Sequence, residues 1–343
     1  MMNETHKNIM TKTQRSQKAT ASDVAELAGV SKWTVSRAFT EGASISEKSR
    51  LAVLAAAKAL EYRPNLLARS LSKKCTHIIG VAIDELKNPH SMMMLGTVTR
   101  QLQSRGYTAL LLNVTEGENY RSVMMMAEQL QVDGILFLGN LLSDEMNTVI
   151  RSLHHIPLVQ VFRNAESPAI DYVANDGYHA GLQIAGLLLE QGYSRFGYMK
   201  GPDTLSSHLL RMEGFRDGLA KDNCQLELLL TAGHYEQELA YLTMNEYLRG
   251  LVDEPPIDAV FCENDVLALG VMDALRDANI SMAVVGFDDI DEAALPSRQL
   301  TTYSQNRELL VTEALNRLID GVSTPDGPWR HGELCIRRSH LKN

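Results

Sequence analysis

Lys32, Trp33, Ser36 and Arg37 lie within six consecutive positions and combine two cations, a hydroxyl and a large aromatic ring. Together these groups suit a nucleic acid. A guanidinium presents paired donors that match the acceptors on a guanine edge, whereas hydroxyls and backbone N–H groups bind phosphate and fix register. For that chemistry the side chains must share the outer side of one helix. The flanking stretch 21-ASDVAELAGVSKWTVSRAFT-40 fits two short helices joined by a tight turn. Ala25 is small where the second helix crosses, Gly29 can take the left-handed conformation the turn needs, and Val24, Val30 and Val35 form an apolar wedge. A plain helical hairpin without a DNA partner has the same spacing.

Helix signals bracket this unit. Thr20, with Asp23 three residues on, starts a capping-box-like first helix that buries Val24, Ala25 and Leu27 or Ala28. Ser31 caps a second helix over 32–39. Ser46 caps a third that reaches about Tyr62, turns Leu51, Leu54 and Leu60 inward, and is ended by Pro64. Residues 1–18, rich in Thr, Lys, Gln and Asn without a hydrophobic period, read as a flexible arm.

A net charge of −9 over 343 residues would argue against a DNA partner if it were evenly spread. It is not. Residues 1–74 hold 13 of the 33 basic residues and 6 of the 42 acidic ones, so the head carries +7 and the remainder −16. A basic head on an acidic body lets the head alone meet a polyanion; a merely solvated basic tail gives the same count. No apolar run is long enough to span a membrane and no secretory signal precedes the head, so the sequence reads as a cytoplasmic protein with no membrane partner. Cys75, Cys224, Cys262 and Cys335 lie far apart without a CxxC pair, and with His154–His155 they lack zinc-site spacing; they read as reduced thiols, and no cofactor or metal is expected.

From His77 onward, apolar runs at 78–83, 109–114, 134–139, 157–162, 195–200, 259–264 and 283–289 alternate with helical stretches at 91–105, 119–131, 143–153, 176–191, 211–222, 236–249 and 265–279. Strands buried on both faces and joined by helices mean parallel sheets wrapped in helices. The span is large for one sheet, so two α/β lobes with a ligand cleft between them are expected.

The stretch DVAELAGVSKWTVSRAF, followed by ISEKSRLAVLAAAKALEYRPNLLARSL, resembles the head of the lactose/galactose repressor (LacI/GalR) family. The similarity runs over about residues 20–340, through the IIGV strand, Asn88–Pro89, 211-RMEGF-215, 263-END-265, 286-GFDD-289 and 300-LTTYSQ-305. It implies an all-α helix-turn-helix head (19–63), a hinge (64–75) and a two-lobed body (76–343) like periplasmic sugar-binding proteins, acting as a dimer on a palindromic operator under allosteric control of a small-molecule effector. By the resemblance, Lys32, Trp33 and Arg37 match base-reading positions, and Thr34 and Ser36 match phosphate-contacting ones. Leu71, in the hinge, matches the leucine wedged into the minor groove at the operator centre, where an apolar wedge unstacks a base step. Trp33 is unusual at its position. Its ring either packs on a thymine methyl or lies flat on the head's own surface.

In the second lobe, Arg211, Asn264 and Asp288 match positions that hydrogen-bond sugar hydroxyls, and their groups suit that work. The alternatives are a surface or interlobe salt bridge for Arg211 and Asp288 and a structural strand-end cap for Asn264. The first lobe departs from the family pattern: Asn88-Pro89-His90-Ser91 replaces Asn-Pro-Phe-Phe, and Phe162–Arg163 stands where an Asp is usual. His90 and Arg163 in place of an aromatic wall and an acid point to an anionic effector, a sugar acid or phosphate; alternatively, His90 caps its helix and Arg163 faces water. No nucleotide, hydrolase or zinc-protease motif occurs, so an enzyme is not expected, and no heptad-bearing tail is present to build a tetramer. A sugar-transport protein would share the body but not the head.

Overall fold

The structure, a computed structural model, describes residues 19–40, 42–64, 75–114, 120–139, 148, 155–162, 170–202, 210–251 and 257–342. The chain divides into two units, residues 1–76 and 77–343.

The head contains α1 (Ala21–Ala28), α2 (Lys32–Ala38) and α3 (Glu47–Ala59). Thr20 and Asp23 form a capping box, and Gly29 ends α1 at φ 64°, the left-handed turn expected from its lack of a Cβ. Val24, Val35 and Val53 are fully enclosed, with Val30 packed at their margin. One expectation is corrected. In α3 the inward face is Val53, Ala56 and Ala57 with Leu60 beside them, while Leu51 and Leu54 are exposed. Positions 53, 56, 57 and 60 repeat at the helical period, and the two alanines let the other helices approach where leucines would not fit. In α1 it is Ala28, not the exposed Leu27, that packs toward the core.

The body is two parallel sheets. In the first, β1 (Ile78–Ile83), β2 (Thr108–Asn113), β3 (Gly134–Leu138), β4 (Leu158–Val161) and β5 (Asp171–Val173) lie in the order β2-β1-β3-β4-β5. Ile79, Val81 and Ile83 face the core beneath α4 (Pro89–Ser104), and Ala82, Ile135 and Phe137 face the core beneath α5 (Tyr120–Gln129). The second sheet holds β6 (Phe196–Lys200), β7 (Leu226–Thr231), β8 (Ala259–Cys262), β9 (Ala283–Phe287), β10 (Thr301–Ser304) and β11 (Glu333–Cys335), ordered β11-β10-β9-β8-β6-β7, with only β10–β11 antiparallel. It is covered by α6 (Gly177–Glu190), α7 (Arg211–Ala220), α8 (Gln237–Arg249) and α9 (Asp265–Asp277). The last helix, α10 (Arg307–Leu315), returns to the first lobe and packs on α4. Among the described residues the chain crosses between the lobes at 174–176, 305–306 and 331–332.

All seven expected strands are present. Four more were not foreseen: β5, β10 and β11 are short, and β7 is an edge strand whose burial alternates rather than running continuously. Thr148 is helical, as expected, while the rest of 143–153 and most of the expected hinge, 65–74, lie outside the described residues.

Candidate functional site

In the head, the Ser31 hydroxyl caps α2 by accepting from the Thr34 N–H at 3.1 Å. It also lies 3.0 Å from the Thr34 hydroxyl, so part of the chemistry expected of Thr34 is already engaged within the helix start. Arg50, on α3, donates to the carbonyls of Ala38 and Ala43, 3.3 Å each, and so ties down the far end of α2. On the helix thus held, Lys32, Trp33 and Ser36 are exposed and Arg37 is half-buried. Trp33 stands clear of the surface at 66% exposure. Arg37, one turn on, lays its guanidinium 4.2 Å from the centre of that ring. Leu71 lies outside the described residues.

In the body, the loop after β1, the start of α4 and the end of β4 meet the second lobe at a cleft. Asp84, Glu85, His90 and Phe162 line one side; Arg211, Tyr235, Asn264 and Asp288 line the other, with Gln305 on the second crossing between them. Its free volume is about 30 Å³, room for a water or two and not for a ring, so the lobes are closed here. Gly139 makes the fit possible on the first lobe, because a Cβ there would strike the Asp84 carboxylate at 2.2 Å.

Asn88, not His90, caps α4: its Oδ1 accepts from the His90 N–H at 3.0 Å, and its Nδ2 donates to Glu85 at 3.1 Å. The His90 ring is freed to enter the cleft, where it packs 5.1 Å from Phe162 and 3.9 Å from Asp288 Oδ1. Burial pushes its pKa down and keeps the ring neutral. Phe162 supplies the aromatic surface that the sequence lacked at position 90, and holds φ at 82° to do so.

Arg211 opens α7. It is buried, donates to the Glu263 carbonyl, lies over Phe287 at 3.5 Å and reaches Asp288 at 3.9 Å. The expected alternative, a salt bridge between Arg211 and Asp288, is thus present, though inside the cleft rather than on the surface. Asp288 sits at φ 110° and accepts from Gln305 at 2.7 Å. Non-glycine residues at positive φ cost on the order of 1–3 kcal/mol and persist where the surroundings hold them, as at Phe162 and Asp288. Asn264 caps α9, its Oδ1 accepting from the Leu267 N–H at 3.0 Å, which leaves its amide N–H groups free to donate. Arg163 lies outside the described residues.

Four residues at or behind the cleft, Glu85, Tyr235, Glu263 and Gln305, carry no assignment from the sequence. Glu263 is buried and accepts from Gly201 N–H at 2.7 Å and the Tyr235 hydroxyl at 3.1 Å, its pKa raised by burial. Glu85 is pushed up to about 7, chiefly by burial and then by the neighbouring charge of Asp84. Glu263 and Gln305 lie in the END and LTTYSQ segments, which mark them in the sequence; Glu85 and Tyr235 have no such mark. Several cleft atoms are buried without a partner, among them both His90 nitrogens, Arg211 Nε and Gln305 Oε1. Unpaired buried groups of this kind are costly unless something else binds them.

Residues 20–65 match the family described as bacterial regulatory proteins, lacI family, and residues 185–340 match a periplasmic binding protein-like domain. The chain is 30% identical over 311 residues to the transcriptional repressor PurR of Photorhabdus laumondii, covering 89% of this chain and 90% of that protein. It is 29% identical over 334 residues to PurR of Mannheimia succiniciproducens, covering 94% and 99%. Among solved structures, a Lac repressor dimer bound to operator and the anti-inducer ONPF superposes with a TM-score of 0.84 at 24% identity, over 95% of this chain and all of that one. The regulator CelR in complex with cellobiose gives 0.68 at 25% identity, over 94% and 99%.

Proposed function

The chain belongs to the lacI family of bacterial regulatory proteins, and is a DNA-binding transcriptional regulator with an effector-binding body; from that premise we propose that it acts as a homodimeric repressor on a palindromic operator. In this reading Lys32 and Arg37 read bases and Ser36 holds phosphate, with Trp33 beside them. The cleft between the lobes takes the effector, and Leu71 wedges the operator centre. The observation that carries the cleft assignment is the set of buried, unpaired polar atoms on His90, Arg211 and Gln305 converging on one closed space.

The effector we favour is a small polyhydroxylated molecule such as a sugar or sugar derivative. Among the described residues that line the cleft, the carboxyl groups of Asp84, Glu85 and Asp288 outnumber the single guanidinium of Arg211, and His90 is held neutral. Hydroxyl donors suit such a surface. A sugar acid or phosphate would need further cations, and Arg163, the expected source, lies outside the described residues. Effector acts by favouring one arrangement of the lobes over another, and so changes how well two heads engage one operator. Fluorescence anisotropy on a palindromic duplex selected from a random library tests the assignment. Specific binding that weakens steeply with salt supports it; equal binding to scrambled duplex removes it. Screening sugars, sugar acids and sugar phosphates for a rise in melting temperature then identifies the effector class.

A further inference from the structure

Trp33 is the large aromatic the head leaves most open, 66% exposed, at a point where an apolar side chain would ordinarily be a liability. What occupies one face of its ring is Arg37, whose guanidinium carbon stands 4.2 Å from the ring centre. The two are four residues apart on α2, the spacing that brings side chains together on a helix. Arg37 Nε is buried and unpaired, and among the described residues no carboxylate or carbonyl holds the guanidinium. The ring does that work, through cation–π attraction and flat stacking.

We propose that Trp33 is a positioning residue for Arg37: it fixes the plane of the guanidinium before DNA arrives, and sets base preference through Arg37 rather than by a base contact of its own. The inference rests on the reading of Arg37 as a base reader. Its physical basis is preorganisation. A free arginine must be ordered when it forms its paired bonds to a base, whereas a stacked one has already lost that freedom. A ring with one face covered by a cation also has less apolar surface to give to a thymine methyl.

The test uses the full-length protein and four variants: Trp33→Ala, Trp33→Phe, Arg37→Ala and the double alanine variant. Each is titrated against the selected operator and against its single base-pair substitutions. Arg37→Ala is expected to lose discrimination at one base pair of each half-site. Trp33→Ala is expected to lose about fivefold at that same base pair, while Trp33→Phe, which keeps a ring for the stack, restores most of it. In the Arg37→Ala background the added Trp33→Ala change should alter discrimination there by less than about twofold, the mark of two residues acting as one unit. The proposal is overturned if Trp33→Ala keeps that preference and loses one at another base pair, or if the two single losses add. If Arg37→Ala leaves every preference intact, the base-reading role of Arg37 falls, and this inference falls with it.

Discussion

The Arg211 guanidinium lies 3.5 Å above the Phe287 ring, which places it at the cleft floor with one face covered. The next residue after Phe287, Asp288, sits at 3.9 Å and holds a strained φ of 110°. One short segment thus provides both a stacking surface and a counter-charge. Arg211 still has a buried Nε without a partner. The site is therefore preorganised, with the Nε–H left to meet a ligand.

Arg211→Ala should leave operator affinity in the absence of effector within about threefold, yet abolish the effector's influence. The expectation follows because Arg211 belongs to the body and has no part in reading DNA. Anisotropy titrations with and without the effector found by thermal screening check it. A normal response would remove Arg211 from the site, and a lost basal affinity would mean that it supports the fold instead.

Glu85 makes stability depend on pH. Its carboxyl is held at about 7 in the folded protein against an ordinary 4.5, chiefly because burial disfavours its charge and then because Asp84 lies beside it; the Asn88 amide opposes this, and Asp288 and Glu263 add to it. A raised carboxyl pKa means the fold favours the neutral form. Below about pH 4.5 this group contributes no penalty; as pH rises through 7 the charged form accumulates and stability falls. Glu85→Gln should therefore be more stable than the parent at pH 8, by about 1–2 kcal/mol, and the two should converge at pH 5. A constant difference across pH would show that the change comes from packing.

The alternating apolar runs and helices made the lobes legible, since strands buried on both faces announce themselves. β7 did not, because Leu226, Leu228 and Leu230 turn inward while Leu229 faces out, a pattern set by its place at the sheet edge. In the cleft, Arg211 and Asp288 were legible through their motifs. Glu85 was not: nothing in 84-DELKNP-89 distinguishes a carboxylate aimed at the other lobe from one aimed at water. His90, near the start of a helix, has the sequence position of a possible cap, but the preceding Asn88 has the shorter reach to the free N–H.

Helices α6 and α7 pack so closely that Gly214 has no room for a methyl group. A Cβ there would stand 1.9 Å from the Tyr178 carbonyl oxygen, and one at Gly181 would stand 2.3 Å from the Arg211 carbonyl oxygen. Both contacts are with backbone, which cannot rotate away. Gly214→Ala should cost on the order of 1–3 kcal/mol through forced separation of the two helices. It should also weaken effector binding, because Arg211 stands on the first turn of the displaced helix. Gly186→Ala, on the same helix as Tyr178 but with open space around it, is the control expected to be neutral or slightly stabilising. Chemical denaturation of the three proteins decides it, and equal stability of Gly214→Ala with the parent would refute the close approach.

The separation of charge gives the last prediction. The head carries +7 and the rest of the chain −16, and the chain divides into units at residues 76 and 77. The body has its own cores on both faces of each sheet, so it is expected to fold without the head. A protein of residues 77–343 should bind effector with the affinity of the full chain and should lose operator binding altogether, since its net charge repels phosphate. For the full chain, the slope of log K against log salt counts the phosphates neutralised, at about 0.9 per contact. Replacing Lys32 with Ala should lower that slope by about one contact per head if Lys32 touches phosphate, and leave it unchanged if Lys32 reads a base. Calorimetry with effector and anisotropy over a salt series measure both. Specific operator binding by residues 77–343 would show that the DNA-reading surface is not where the charge, the capped helix and Arg37 put it.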